Sequence, residues 1–169
     1  MTTQQLRLRA MEPEDLELLY KIENDRCLWN VGSTNVPYSR YVLHDYIATS
    51  SGDIYTDRQV RLIAENGVGE TVGVTDLVDF DAKNLRAEVG IVVMDNQRQK
   101  GYATAALRQI ADYASSVLHL HQLYAIVDDQ NLAAQKLFEK CDFHEIARLQ
   151  DWLYDGHHYH DAIMMQKIL

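Results

Sequence analysis

The run Asp95-Asn96-Gln97-Arg98-Gln99-Lys100-Gly101-Tyr102-Ala103-Thr104 has the residue types and spacing to hold an anion. It falls between a strand expected over Leu85 to Met94 and a helix expected over Tyr102 to Leu118. A helix N-terminus presents unpaired backbone N–H groups and partial positive charge, which together suit phosphate. Gly101 removes a side chain where the backbone would have to approach a ligand closely. Ala103 keeps the first turn equally bare, and Arg98 and Lys100 add local positive charge. A strand–helix turn with a glycine for its geometry would look the same. The pattern GxxxxGK[ST] is absent, so the run offers no lysine for a terminal phosphate and no hydroxyl for magnesium. Gly67, Gly69 and Gly73 lack the GxGxxG spacing and read as a turn and a strand irregularity.

Other polar and aromatic residues carry weaker signals. His119 and His121, and His157, His158 and His160, form no recognisable ligand set and read as surface residues, so no metal is expected. Trp29, Tyr38 and Trp152 read as core or rim packing, with the lining of an acceptor pocket as the alternative. Cys27 and Cys141 are the only cysteines. They make neither a disulfide framework nor a zinc spacing, and read as small core residues in a reducing compartment.

The elements that must position these groups follow from periodicity. A strand over Gln5 to Ala10 leads into a helix in which Pro13 takes the first position and Glu14 and Asp15 suit the dipole. Residues 24–37 read as a loop, and a second helix covers Ser39 to Ala48. Gln59 to Glu65 and Thr71 to Phe80 form a hairpin around Asn66-Gly67. In the strand Leu85 to Met94, Ala87, Val89, Ile91 and Val93 alternate with Arg86, Glu88, Gly90 and Val92. Apolar residues at three- and four-residue spacing from Ala103 to Leu118 mark the next helix. A buried strand, Leu123 to Val127, precedes a helix from Leu132 to Lys140 with Asn131 as N-cap. Phe143 to Tyr154 and His158 to Ile168 close the chain as strands joined at Asp155-Gly156. The order predicts a mixed α/β domain with a strand–helix–strand crossover at its centre.

Bulk properties set limits. The 169 residues, 47% hydrophobic and 24% charged, suit one globular domain over 1–169. Nothing reads as a signal peptide or approaches the roughly 18 apolar residues of a membrane helix, so a cytoplasmic location without membrane contact is expected. The formal net charge of -9 disfavours nucleic acid as a partner. It either favours cationic partners, such as polyamines or basic peptides, or serves solubility alone.

Arg98-x-x-Gly101-x-Ala103 resembles the pyrophosphate-binding motif Gln/Arg-x-x-Gly-x-Gly/Ala of the GCN5-related N-acetyltransferases. The strand Ala87-Glu88-Val89-Gly90-Ile91-Val92-Val93 and the later Asn131-x-x-Ala134-x-x-Leu137-Phe138-Glu139-Lys140-Cys141-Asp142-Phe143 fall in that family's order and spacing. The likeness extends more weakly from Arg9-x-x-Glu12-x-Glu14-Asp15-Leu16 to the terminal hairpin. It looks nearest to the branch of spermidine/spermine and ribosomal-protein N-terminal acetyltransferases. Arg86-Ala87-Glu88, Leu123-Tyr124-Ala125-Ile126-Val127-Asp128 and Tyr154-Asp155-Gly156 are similar to the polyamine enzymes in particular.

The resemblance implies a mixed sheet of six or seven strands with about four helices, splayed between parallel strands ending near Val93 and Val127. Acetyl-CoA would lie in that gap. Backbone groups of Ile91, Val92 and Val93 would hold its pantetheine arm. Amides of Arg98, Gln99, Lys100, Gly101, Tyr102, Ala103 and Thr104 would hold its diphosphate, with Asn131 and Phe138 also against it. A strand amide near Val92 or Val93 would face the developing oxyanion. Glu88 would act as general base, directly or through water, or orient a cationic amine; an ordinary strand carboxylate is its plain alternative.

Two residues depart from the family pattern. Phe138 stands where many members have a tyrosine that protonates the departing thiolate. A thiol, with a pKa of about 8.5 against about 10 for tyrosine, is already a tolerable leaving group, and water or another hydroxyl such as Tyr124 could substitute. Asp142 stands where the family usually has glycine, and aspartate tolerates positive φ better than most residues. The expected activity is acetyl transfer to a polyamine or other small amine. A peptide N-terminus is the alternative acceptor, and a non-catalytic acyl-CoA-binding module the alternative class. Residues 24–58 are expected to shape the acceptor cleft, and a homodimer is expected by family similarity.

Overall fold

The computed structural model describes residues 5–25, 28 and 36–169. Trp29, Cys27 and much of the loop expected over 24–37 lie outside the described residues. Seven strands form one sheet: β1 (Leu6–Ala10), β2 (Val60–Asn66), β3 (Thr71–Asp81), β4 (Arg86–Val93), β5 (Gln122–Asp128), β6 (His144–Tyr154) and β7 (Tyr159–Ile168). Their spatial order is β1-β2-β3-β4-β5-β7-β6. Every neighbouring pair is antiparallel except β4 and β5.

The helices that accompany the sheet among the described residues include α1 (Leu16–Glu23), α2 (Arg40–Thr49), α3 (Ile54–Asp57), α4 (Tyr102–Ser116) and α5 (Leu132–Lys140). Local chemistry starts several of them. The Ser39 hydroxyl accepts from the Val42 amide and opens α2. Asp53 does the same for Tyr55 at α3, a four-residue turn too short for periodicity to reveal. Pro13 opens a 3-10 turn, Pro13–Asp15, that leads straight into α1.

The sheet has helices on both faces. Leu107, Ile110 and Ala114 of α4 pack on Ala87 and Val89 of β4 and on Leu123 and Ala125 of β5. Phe138 of α5 and Phe143 complete that core with rings 5.1 Å apart, edge to face. On the other face Leu19 of α1 and Leu43 of α2 pack on Ile63 and Val74. Free Cys141 is buried in the larger core, as its residue type predicts. Asp142, next to it, has φ 66, so the backbone does require the left-handed conformation there.

A glycine shapes β3. A Cβ at Gly73 would lie 2.1 Å from the Val92 carbonyl oxygen, so only glycine lets β3 press this closely on β4. That is the strand irregularity read from the glycine spacing, and β2 and β3 shift register beside it, between Ala64 and Glu65.

Candidate active site

The parallel pair holds for three rungs only: Arg86–Gln122, Ala87–Leu123 and Glu88–Tyr124. Beyond them β4 runs on to Val93 and β5 to Asp128 without pairing to each other. On their far sides both strands stay in the sheet, β4 against β3 and β5 against β7. The result is a wedge, closed at Glu88 and Tyr124 and open toward the start of α4. It is part of a cleft of about 1130 Å³.

At the open end, Asp95–Gln97 forms a 3-10 turn and Gln99 and Gly101 take positive φ, 61° and 84°. The first α4 amide to reach a carbonyl four residues back is that of Ala105, which donates to Gly101 at 3.1 Å. No side chain caps the end. The amides of Tyr102, Ala103 and Thr104 stand ahead of that first bond, as at any uncapped helix start. A Cβ at Gly101 would meet nothing within 4 Å. The glycine therefore serves its φ and leaves open space in front of the helix, a cradle that fits a diphosphate.

The predicted residues divide by where their side chains go. Arg98 pairs with Asp95 at 2.9 Å and donates to the Val93 carbonyl at 3.3 Å, and Lys100 donates to Gln97 at 2.9 Å. Both cations brace the loop from exposed positions. The Tyr102 ring is buried against Ala64 and Val72, so only its backbone can face a ligand. Ile91 and Val92 line the cleft, whereas Val93 is not among its lining residues. Asn131 lines the cleft and accepts from the Ala134 amide, 3.1 Å away, through its carboxamide oxygen. Phe138 also lines the cleft, but it is 5% exposed and mostly part of the core.

Glu88 is half-buried at the closed end. Burial pushes its carboxyl above the usual range, and the charge of Asp79 pushes it further. The Ile126 backbone amide, left over where the ladder stops, opposes the shift by donating toward it. Tyr124 faces Glu88 across the rung, and burial, then Glu88 and Asp79, hold its phenol protonated above the ordinary range.

Two features of the cleft escaped the sequence. Asp79 lies on a bulge between Val78 and Asp81 with φ 49, which turns a mid-strand residue toward Glu88. The segment Asp79-Phe80-Asp81 carries no glycine or proline that would mark such a kink. The second feature is an ion-pair cluster. Arg61 joins Asp76 through bonds of 2.6 and 3.0 Å and also pairs with Glu23. Burial opposes the charge on Arg61, but Asp76 and Glu23 overcome it and hold the guanidinium charged. Its members are far apart in the chain, so no local signal could reveal it. The histidines do not assemble a metal site: among the described residues no group of three His, Cys, Asp or Glu is placed to hold one. His160 instead bonds Asp155 at 2.7 Å.

A mixed sheet wedged open between two parallel strands, with a bare helix N-terminus at the wide end, defines an acyltransferase that takes its acyl group from a coenzyme A thioester. Residues 5–144 match the acetyltransferase (GNAT) domain family, and the chain belongs to it. It is an acetyl-CoA-dependent N-acetyltransferase. The chain is 29% identical over 164 residues to a spermidine N(1)-acetyltransferase of Escherichia coli strain K12, covering 95% of this chain and 84% of the relative. It is similar in structure to the Vibrio cholerae spermidine N-acetyltransferase in complex with CoA and spermine. That match has a TM-score of 0.86 at 26% identity and covers 97% of this chain and 95% of the other. A dodecameric structure of the Vibrio cholerae enzyme in an intermediate state matches with a TM-score of 0.83 at 26% identity, over 97% and 94% of the two chains.

Proposed function

We propose that the acetyl acceptor is a polyamine, bound in the half of the cleft between the closed end of the wedge and helices α1 and α2. One observation carries this reading: the cleft is lined by seven carboxylates, Glu23, Asp57, Asp76, Asp79, Asp81, Glu88 and Asp128, against three arginines, 58, 61 and 86. Arg61 is consumed by Glu23 and Asp76 and Arg86 pairs with Asp81 at 3.2 Å. The carboxylates near Glu88 are thus left to meet a cationic ligand. The similarity to spermidine N-acetyltransferases of Escherichia coli and Vibrio cholerae supports the same choice.

In this reading the amides of 98–104 and the backbone of Ile91 to Val93 hold acetyl-CoA, with Asn131 beside it. The cofactor supplies an acetyl thioester. A strand amide near Val92 or Val93 meets the charge that develops on the thioester oxygen. Glu88, its carboxylate made more basic by burial and by Asp79, accepts the proton of the attacking amine directly or through a water. The dodecamer of the Vibrio cholerae enzyme supports self-association here, beyond the dimer expected from family similarity. The free buried thiol of Cys141 suits a reducing cytoplasm.

The experiment is thiol release from acetyl-CoA with a panel of acceptors. Spermidine and spermine should be preferred over monoamines and over peptides with free N-termini. Preference for a peptide would replace the polyamine reading with N-terminal acetylation. Acetyl-CoA binding without release by any acceptor would make the chain a binding module.

A further inference from the structure

We propose that Tyr124 supplies the proton taken up by the departing coenzyme A sulfur, replacing the tyrosine that family resemblance expects at Phe138. The inference rests on acetyl transfer in this cleft and not on which amine is used.

Phe138 has no hydroxyl, and its ring is held edge-on against Phe143 in the core. Three phenols line the cleft: Tyr38, Tyr46 and Tyr124. Tyr38 and Tyr46 pack with α1 and α2, on the acceptor side. The Tyr46 hydroxyl meets Gln59, and its ring lies 5.8 Å from the Arg61 guanidinium. Tyr124 alone of the three belongs to the wedge. It stands on the last parallel rung, and no hydrogen bond ties its hydroxyl among the described residues.

Position follows from the wedge itself. The diphosphate cradle lies past the open end of β4. From there the unpaired stretch of β4, residues 89–93, runs back for roughly 16 Å at about 3.3 Å per residue. A thioester on a flexible arm that followed this gap would reach its closed end, between Glu88 and Tyr124. The charged groups around the Tyr124 phenol are Glu88, Asp79 and Asp81, opposed by Arg86. Burial first, and then this field, keep the hydroxyl protonated, which is the state a proton donor needs.

The step balances. The C–N bond forms and the C–S bond breaks. The amine proton passes to Glu88, the Tyr124 phenolic proton passes to sulfur, and the proton on Glu88 then returns to the Tyr124 oxygen. The products are an amide and a thiol, with both side chains restored.

Two measurements test this. The first is kinetic. In Tyr124→Phe, kcat should fall about 10²-fold, a typical general-acid contribution, with KM values within twofold. Adding Phe138→Tyr to that variant should recover at least tenfold, whereas Phe138→Tyr alone should gain little. The second needs no acceptor, so it stands even if the polyamine reading fails. Affinities for CoA and desulfo-CoA are compared by calorimetry from pH 7 to 9.5. A phenol donating to the bound sulfur should make CoA gain about tenfold over desulfo-CoA as its thiol ionises. Tyr124→Phe should abolish that gain. An unchanged kcat in Tyr124→Phe, or a gain that persists in it, overturns the proposal.

Discussion

Glu88 and Tyr124 are register partners on the last rung of the β4–β5 parallel ladder. A carboxyl and a phenol thus meet at the point where the sheet opens. Neither strand could place them alone. β4 is positioned by β3 and by α4, and β5 by β7, and the two strands separate one residue later.

Glu88 should be costly to stability and necessary for rate. Its folded pKa is raised by burial and by Asp79. A group shifted this way stabilises the fold below its unfolded pKa, and that contribution is lost as pH rises through the folded value. At pH 7 the ionised carboxylate is therefore a net penalty. Glu88→Gln should keep or raise Tm at pH 7 while kcat/KM drops about 10²-fold. The acid limb of the wild-type pH–rate profile should lie above the ordinary glutamate value of about 4.3 and vanish in the variant. Full activity in Glu88→Gln would remove it from the mechanism.

Gly101→Val tests the diphosphate cradle. The fold has room for a new Cβ, and the positive φ costs about 1–2 kcal/mol. Calorimetry should show CoA affinity reduced by more than about tenfold, because the side chain fills the space a ligand needs. Thermal melts should show only the modest loss set by φ. Unchanged CoA affinity would place the diphosphate elsewhere.

Asp79 should act on the acceptor and not on the cosubstrate. Asp79→Asn removes the charge that faces Glu88. KM for spermidine should rise severalfold, KM for acetyl-CoA should hold, and the difference between variant and wild type should shrink as salt screens the cleft. An effect confined to acetyl-CoA would contradict the acceptor assignment.

Arg61→Met should be one of the most damaging single changes in the cleft. Arg61, Glu23 and Asp76 are each less than a fifth exposed, so the variant takes the guanidinium out of a largely buried ion-pair cluster. Breaking such a cluster costs about 3 kcal/mol or more. Urea unfolding at pH 7 measures it. A loss under about 1 kcal/mol would show that solvent already screens the cluster.

Local patterns decide a large part of this protein. The strands from β1 to β7, the main helices and the Asn131 cap are written in short-range periodicity and turn chemistry, so the sequence names them within a residue or two. The bend at 98–103 is legible for the same reason: a bare helix start and a left-handed glycine are properties of six adjacent residues. The tertiary structure decided what no window of sequence holds. It set how many rungs β4 and β5 share, and so where the wedge closes. It sent the Tyr102 ring into the core and left its amide outside. It turned Asp79 toward Glu88 through a bulge and gathered Arg61 with Glu23 and Asp76 from three separate elements. Those outcomes depend on packing and charge between distant segments, which become neighbours only when the chain has folded.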